Sequence, residues 1–258
     1  KVSAPVKFQS IMVRAPVLSA LRFRDFRLYW FGHLASVSGH QMFLVVQGWL
    51  VYELTGSALW LGLVGIAEAI PSISLTPFGG VAADKVDQRR LLVLLQWANA
   101  AALLVLGTLT STEVIRAWHI IVFAFVWGTI GAFDQPARQA LFPHLVDRQN
   151  MMSAVGMNST VYPGTRIAGP AVAGLIIAQV AELTGMPFMG AAVVLYLAAV
   201  WYAVFGIFLL TIRVPRVPRA QGRNILHDVV EGLRVIWRDK VILFLIGMVF
   251  FTSYFGGA

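Results

Sequence analysis

Gly79-Gly80-Val81-Ala82-Ala83-Asp84-Lys85-Val86-Asp87-Gln88-Arg89-Arg90 separates two apolar runs, Leu59 to Phe78 and Leu91 to Thr110. Each run has about the 20 residues that an α-helix needs to cross a ~30 Å hydrocarbon layer. The small and charged residues between them are expected to form a tight turn at a membrane face. Gly79 and Gly80 permit close helix approach. Lys85, Arg89 and Arg90 are charges that are costly to carry through lipid, which places this corner on the cytoplasmic side.

Composition extends that reading to the whole chain. Of 258 residues, 58% are hydrophobic and 12% charged, more apolar surface than a soluble domain hides. A net charge of +8 would point to nucleic acid in a soluble protein. Here the basic residues sort by topology instead. Eighteen of the 20 Lys and Arg fall on one side of the expected spans, leaving Arg116 in the opposite loops and Arg166 inside a helix. No nucleic-acid partner is expected; the partner is the lipid bilayer. There is no cysteine, hence no disulfide frame or thiolate site. The first residues are charged and mixed, without the apolar core of a cleavable secretion signal.

Taken in order, residues 1–27 form a basic amphipathic segment at the cytoplasmic interface, with Leu21, Phe23 and Phe26 among Arg22, Arg24 and Arg27. Residues 28–212 hold six spans, beginning near Leu28, Leu59, Leu91, His119, Met151 and Met186, with Pro136 expected to end the fourth. Residues 213–240 form a basic cytoplasmic linker. In it Asn224 is a candidate N-cap, and Ile225, Val229, Leu233 and Ile236 share the face of an amphipathic helix. Residues 241–258 begin a seventh span. The fold expected is all-α and polytopic, in the cell membrane, with a cytoplasmic N-terminus.

The corner at Gly79 to Arg90 resembles the loop between helices 2 and 3 of the major facilitator superfamily, G-x-L-A-D-R-x-G-R-R. Gly80, Ala83, Asp84, Lys85 and Arg89 fall in register, followed by Arg90, while Ala82, Asp87 and Gln88 depart from the pattern. In helix 5, Gly156, Gly169, Pro170 and Gly174 match the family's antiporter motif, G-x8-G-x3-G-P-x2-G-G, with Thr165 and Ala173 replacing two glycines. The resemblance implies a six-helix bundle of inverted three-helix repeats, a C-terminal six-helix half as partner, and proton-coupled efflux of a drug-like or siderophore-like molecule by alternating access.

Polar residues inside the spans are the candidate site. Glu68 in helix 2 stands three residues before Pro71 and is the first candidate for proton coupling. His40 is the second, since many drug exporters carry an acid at its place in the Ser36 to His40 pattern. His33, His40 and Gln47 recur every seven residues on one face of helix 1, and His33 and Gln47 join the expected substrate cavity. Asn158, Tyr162 and Arg166 form a polar stripe on helix 5. Arg166 either binds an anionic group of the substrate or pairs with a buried carboxylate. Asp134 and Arg138, one turn apart at the end of helix 4, are expected to meet the corner, Asp134 approaching Arg89 or Lys85 and Asp84 approaching Arg138. Such pairs would latch one conformation.

No metal-ligand spacing, nucleophile elbow or phosphate loop is present, so neither a metal, a cofactor nor an enzyme is expected. The alternative to transport is a structural or accessory subunit of a larger membrane complex, with other membrane subunits as partners.

Overall fold

The computed structural model describes residues 18–213 together with Phe244, Gly247 and Met248. Most of the N-terminal segment, the linker helix and most of the seventh span therefore lie outside the described residues. Six long helices carry the fold: α1 (Arg24–Thr55), α2 (Ala58–Lys85), α3 (Gln88–Ser111), α4 (Ala117–Leu141), α5 (Met151–Thr184) and α6 (Pro187–Thr211). Short 3-10 turns precede α1 and join α4 to α5.

Local chemistry sets most of the ends. α1 stops at Gly56, whose φ of 60° suits a residue without a side chain, and its N–H bonds Tyr52 O at 2.7 Å. Ser57 then caps α2, its hydroxyl accepting from Leu59 N. Asp87 caps α3 by accepting from Arg90 N at 3.0 Å. Gly185, at φ 69°, closes α5.

Two expectations from sequence are corrected here. The Gly79 to Arg90 stretch is not a turn over its length. α2 runs on through Lys85 and α3 starts at Gln88, leaving only Val86 and Asp87 outside helices. Within α2, Gly79 instead serves close packing against α4, whereas Gly80 has nothing within 4 Å of an added Cβ. Pro136 does not end α4, which continues to Leu141. Proline removes one backbone donor, but a helix held on both sides by neighbours tolerates that loss.

Among the described residues, five helical segments are long and apolar enough to cross a membrane: those containing α2, α3, α4, α5 and α6. α1 is long enough, at 32 residues, yet it carries His33, Ser36, Ser38, His40, Gln41 and Gln47. Ser36, Gln41 and Gln47 are buried, so much of that polarity turns inward.

The main helix pairs are α2 with α4, α3 with α6, and α1 with both α5 and α6, supplemented by α3 with α4 and α5 with α6. Exchanging α1–α3 with α4–α6 leaves the α3–α6 pair in place. It also turns α2–α4 into α5–α1 and α1–α6 into α4–α3, which are all present. That is the pairing two related three-helix units produce. α2 and α5 are the least covered helices, with 11% of their apolar windows buried against 44% for α3 and α6.

The core divides in two. One cluster contains Phe43, Leu50, Leu103, Ile120 and Leu195; the other contains Phe26, Leu92, Leu141, Phe205 and Leu209. The second lies where α1, α3 and α5 begin and α2, α4 and α6 end. Arg24, Lys85, Arg89, Arg90, Arg148 and Arg213 therefore gather at the same end of the bundle, as their charge pattern implies.

Arg89 has a specific task there. Its Nε donates to Leu209 O at 2.6 Å and its second terminal nitrogen donates to Leu210 O, which satisfies carbonyls that the end of α6 leaves unpaired. Replacing Arg89 with Ala should cost about 1–2 kcal/mol, seen as a lower unfolding temperature in detergent, with Arg89→Lys intermediate. Equal stability of Arg89→Ala and the parent would show that α6 needs no such cap.

Candidate functional site

Between the two apolar clusters, every helix contributes polar residues to one level of the bundle. α1 supplies His33, Ser36 and His40; α2 supplies Glu68 and Ser72; α3 supplies Asn99. From α4 come Trp127, Asp134 and Arg138, from α5 Asn158 and Tyr162, and from α6 Tyr202. They surround a cleft of about 370 Å³, within the range of small-molecule sites.

Its most extensively hydrogen-bonded part is an ion pair within α4. Asp134 and Arg138 are 9% and 8% exposed, so both charges are withdrawn from solvent. Arg138 Nε donates to Asp134 Oδ2. Gln96 closes the arrangement from α3: its Nε2 donates to Asp134 Oδ1 at 2.6 Å and its Oε1 accepts from Arg138 at 3.3 Å. The remaining Arg138 nitrogen donates to His33 Nδ1 at 2.6 Å and Ser36 Oγ at 3.3 Å. Four of the five guanidinium N–H groups thus have acceptors. Because a guanidinium only donates, His33 Nδ1 must be the acceptor, which makes that imidazole neutral with its proton on Nε2. Phe205 lies against the cation, 4.8 Å from ring centroid to Arg138 Cζ.

The rest of the cleft is less tied down. His40 stacks on Trp127 at 5.5 Å with planes 9° apart. Trp127 also packs against Phe43 and Tyr202. Glu68 is half-buried on the α2 wall, and among the described residues no cation pairs with it. Asn99 Oδ1 and Asn158 Oδ1 are buried without a hydrogen-bond partner.

The structure thus brings Glu68, His33, His40, Asn158 and Tyr162 together. It does not bring Arg166 or Gln47 to them. Arg166 is exposed on α5 and does not line the cleft. The reason is helical drift: each i,i+4 step turns 40° past a full rotation, so the stripe from Asn158 through Tyr162 winds away from the cleft by residue 166. Gln47 is buried, but it stands about 21 Å along α1 from His33 at 1.5 Å per residue, beyond the cleft.

The expected cross-links at the corner also differ. Asp134 pairs with Arg138 and Gln96, and Arg89 is bound to α6, so the Asp134–Arg89 and Asp84–Arg138 latches are absent from this conformation. Arg138 belongs to the bundle interior, while Asp84 sits exposed at the end of α2. Of the helix 5 motif, Gly169 packs against Gln41 Cβ on α1, with a Cβ at 169 falling 2.7 Å from it. Pro170 is half-buried, and Gly156 and Gly174 face open space.

Sequence reasoning missed Gln96, Asn99, Ser72, Trp127 and Tyr202. The signal for two of them was available: Gln96 and Asn99 are polar, three apart and hence on one face of an otherwise apolar helix.

The family profile described as "Transmembrane secretion effector", a major facilitator profile, matches residues 15–253. The staphyloferrin A transporter of Staphylococcus aureus is 34% identical over 131 residues, covering 50% of this chain and 33% of its own. The multidrug efflux pump Tap of Mycolicibacterium fortuitum is 26% identical over 231 residues, 83% of this chain and 53% of its own. Macrolide efflux protein A of Streptococcus pyogenes is 23% identical over 239 residues, 89% of this chain and 56% of its own. The chain spans about half the length of these two efflux relatives. No solved structure matches it. With nearly its whole length matched by that profile, the chain is an all-α membrane protein of a transporter family, not of an enzyme family, and belongs to the major facilitator superfamily.

Proposed function

We propose that this chain is the N-terminal half of a secondary transporter in the cell membrane, its N-terminus cytoplasmic, which exports a small organic molecule in exchange for protons. The observation that carries the reading is the central cleft, where an unpaired carboxylate, Glu68, shares a cavity with the ion pair of Asp134 and Arg138. Ionisable groups are retained at membrane depth only where they face protein or water and act on something. All three relatives are described as transporters or efflux proteins, and the two described as efflux proteins support the outward direction.

In this reading Glu68 takes up and releases the coupling proton, His40 being the second titratable group on the cleft wall. The thinly covered helices α2 and α5 meet the second six-helix half, and Arg166, on exposed α5, lies at or near that contact. The corner of Gly80, Asp84, Lys85, Arg89 and Arg90 forms part of the gate that the two halves open and close. Alternating access then needs two states that proton and substrate bias differently.

The test uses the full-length protein in an efflux-deficient bacterial host. Its removal should raise cellular accumulation of a transported dye or drug, and an uncoupler should abolish the difference. Glu68→Gln should lower proton-driven efflux more than about tenfold at normal expression, the scale on which loss of a proton-transfer group acts. Undiminished efflux by Glu68→Gln removes the coupling assignment. A full-length protein that assembles but moves none of the compounds points instead to an accessory membrane subunit.

A further inference from the structure

Resting on the assignment of the cleft as the substrate site, we infer that its ligand is a protonated amine carried on an apolar or aromatic body, and not an organic anion. The argument begins with charge. Among the described residues the cleft holds one guanidinium, Arg138, and Asp134 already neutralises it at contact distance. Its remaining N–H groups are largely committed to Gln96, His33 and Ser36. A carboxylate or phosphate entering the cleft would find no free cation among the described residues. Arg166, the residue that sequence alone put forward for an anionic group, does not line it.

What the cleft offers instead is acceptors. Glu68 stands on the α2 wall with no cation paired to it among the described residues. Asn99, 4% exposed, has its Oδ1 buried and unpartnered, and Asn158 Oδ1 is in the same condition. Both line the same cavity as Glu68. Buried carbonyl oxygens without donors are uncommon, and each is costly until a donor arrives. One carboxylate and two unused carbonyls specify a ligand that brings positive charge and N–H groups together. A protonated amine meets both demands, whereas a quaternary ammonium meets only the first. Trp127, Tyr162 and Tyr202 on the same cavity wall give the body of the ligand an aromatic surface.

The neighbouring titratable groups do not reverse the balance. His33 is neutral by its acceptance of the Arg138 N–H. His40, from α1, lies stacked against Trp127. With Asp134 paired to Arg138, Glu68 is the carboxylate that the described residues leave without a cation in the cleft.

The experiment measures equilibrium binding to the purified full-length protein in detergent at about pH 7.5, with no proton gradient. The probes are 1-naphthylmethylamine, its N,N,N-trimethylammonium analogue, 1-naphthylmethanol and 1-naphthylacetate. The amine should bind about tenfold more tightly than the alcohol and the acetate, and several-fold more tightly than the quaternary analogue, differences of the order of one charge-assisted contact. Glu68→Gln should remove most of the preference of amine over alcohol, and Asn99→Leu should remove the preference of amine over quaternary analogue. Monodispersity of each variant on size exclusion reports folding, and the wild-type ranking does not depend on any variant. Acetate binding as tightly as the amine, or an amine preference unchanged in folded Glu68→Gln, overturns the inference. Because binding is read without transport, amine binding in a protein that moves nothing would defeat the transporter reading alone. Proton-driven export of anions by a protein that ignores the amine would defeat this inference alone.

Discussion

Arg138→Met is expected to destabilise the bundle by about 3–5 kcal/mol, the cost of leaving one partner of a buried ion pair uncompensated. Asp134 would keep its position between α3 and α4 with Gln96 Nε2 as its remaining donor in the cluster. Gln96, Ser36 and His33 would each lose a bond to the guanidinium as well. Asp134→Leu alone should be comparably harmful, since it strands a cation that is 8% exposed. The double variant Asp134→Leu/Arg138→Met should recover most of the loss, because two apolar residues need no compensation. Arg138→Lys should fall between, keeping the charge but losing the fork that reaches three helices. The measurement is the unfolding temperature of each variant in detergent, assembled into a double-mutant cycle. Additive effects, or an Arg138→Met protein as stable as the parent, would mean that the pair is not closed in the resting bundle. The double variant separates stability from activity: it should fold and yet fail in export, since the polar layer facing Glu68 would be gone.

The bundle was legible because lipid enforces a simple sorting. Apolar runs of about the length of a bilayer crossing stand between charged corners, and almost any folded arrangement must keep those corners out of the hydrocarbon. Helix ends were less legible. The Gly79–Gly80 pair has the composition of a turn, and only a neighbouring helix can reveal that glycine is there for close contact. Pro136 has the chemistry of a break, and its tolerance inside α4 is a tertiary effect.

The site was half legible for a related reason. A charged or polar residue in a span draws attention wherever it occurs, so Glu68, His33, His40, Asn158 and Tyr162 were found. Which of them meet depends on rotation and depth. Helical spacing predicts the common face of adjacent turns well, but over eight residues from Asn158 to Arg166, or fourteen from His33 to Gln47, drift and rise carry a side chain out of the cleft. The partner of Asp134 was misassigned because sequence cannot tell an Arg one turn away on the same helix from one on a neighbouring corner. Gln96 decides that question from α3 by holding both members of the pair at once.

Gly128→Val is expected to prevent assembly of the α2–α4 pair, and Gly79→Leu to do the same further along that interface. A Cβ at Gly128 would lie 2.9 Å from the Glu68 carbonyl carbon and 3.0 Å from Pro71 Cγ, and closer still to Glu68 O. A Cβ at Gly79 would lie 2.9 Å from the Ala132 carbonyl carbon and 3.1 Å from Phe133 Cα. The contacts are reciprocal: a glycine of each helix faces the backbone of the other. Backbone in a helix cannot step aside as a flexible side chain can, so relief requires the two axes to separate along much of their length. Alanine at either position should already cost about 1–3 kcal/mol as overpacking, and valine or leucine should reduce folded protein in the membrane to a small fraction. Gly128 also borders the cleft next to Glu68, so Gly128→Ala should weaken binding there even where the protein still folds. Two neighbours supply the controls. Gly80 and Gly131 have nothing within 4 Å of an added Cβ, and Gly80→Ala and Gly131→Ala should be near neutral for folding. The contrast between Gly79 and Gly80 is the sharper one, because the resemblance to the family corner singles out Gly80 while the packing singles out Gly79. Folded yield of the four alanine variants, read as the monodisperse peak on size exclusion, decides between them. If Gly80→Ala were as damaging as Gly79→Ala, α2 would have to meet α4 through a different face, and Glu68 would be turned out of the cleft on which the proposed mechanism depends.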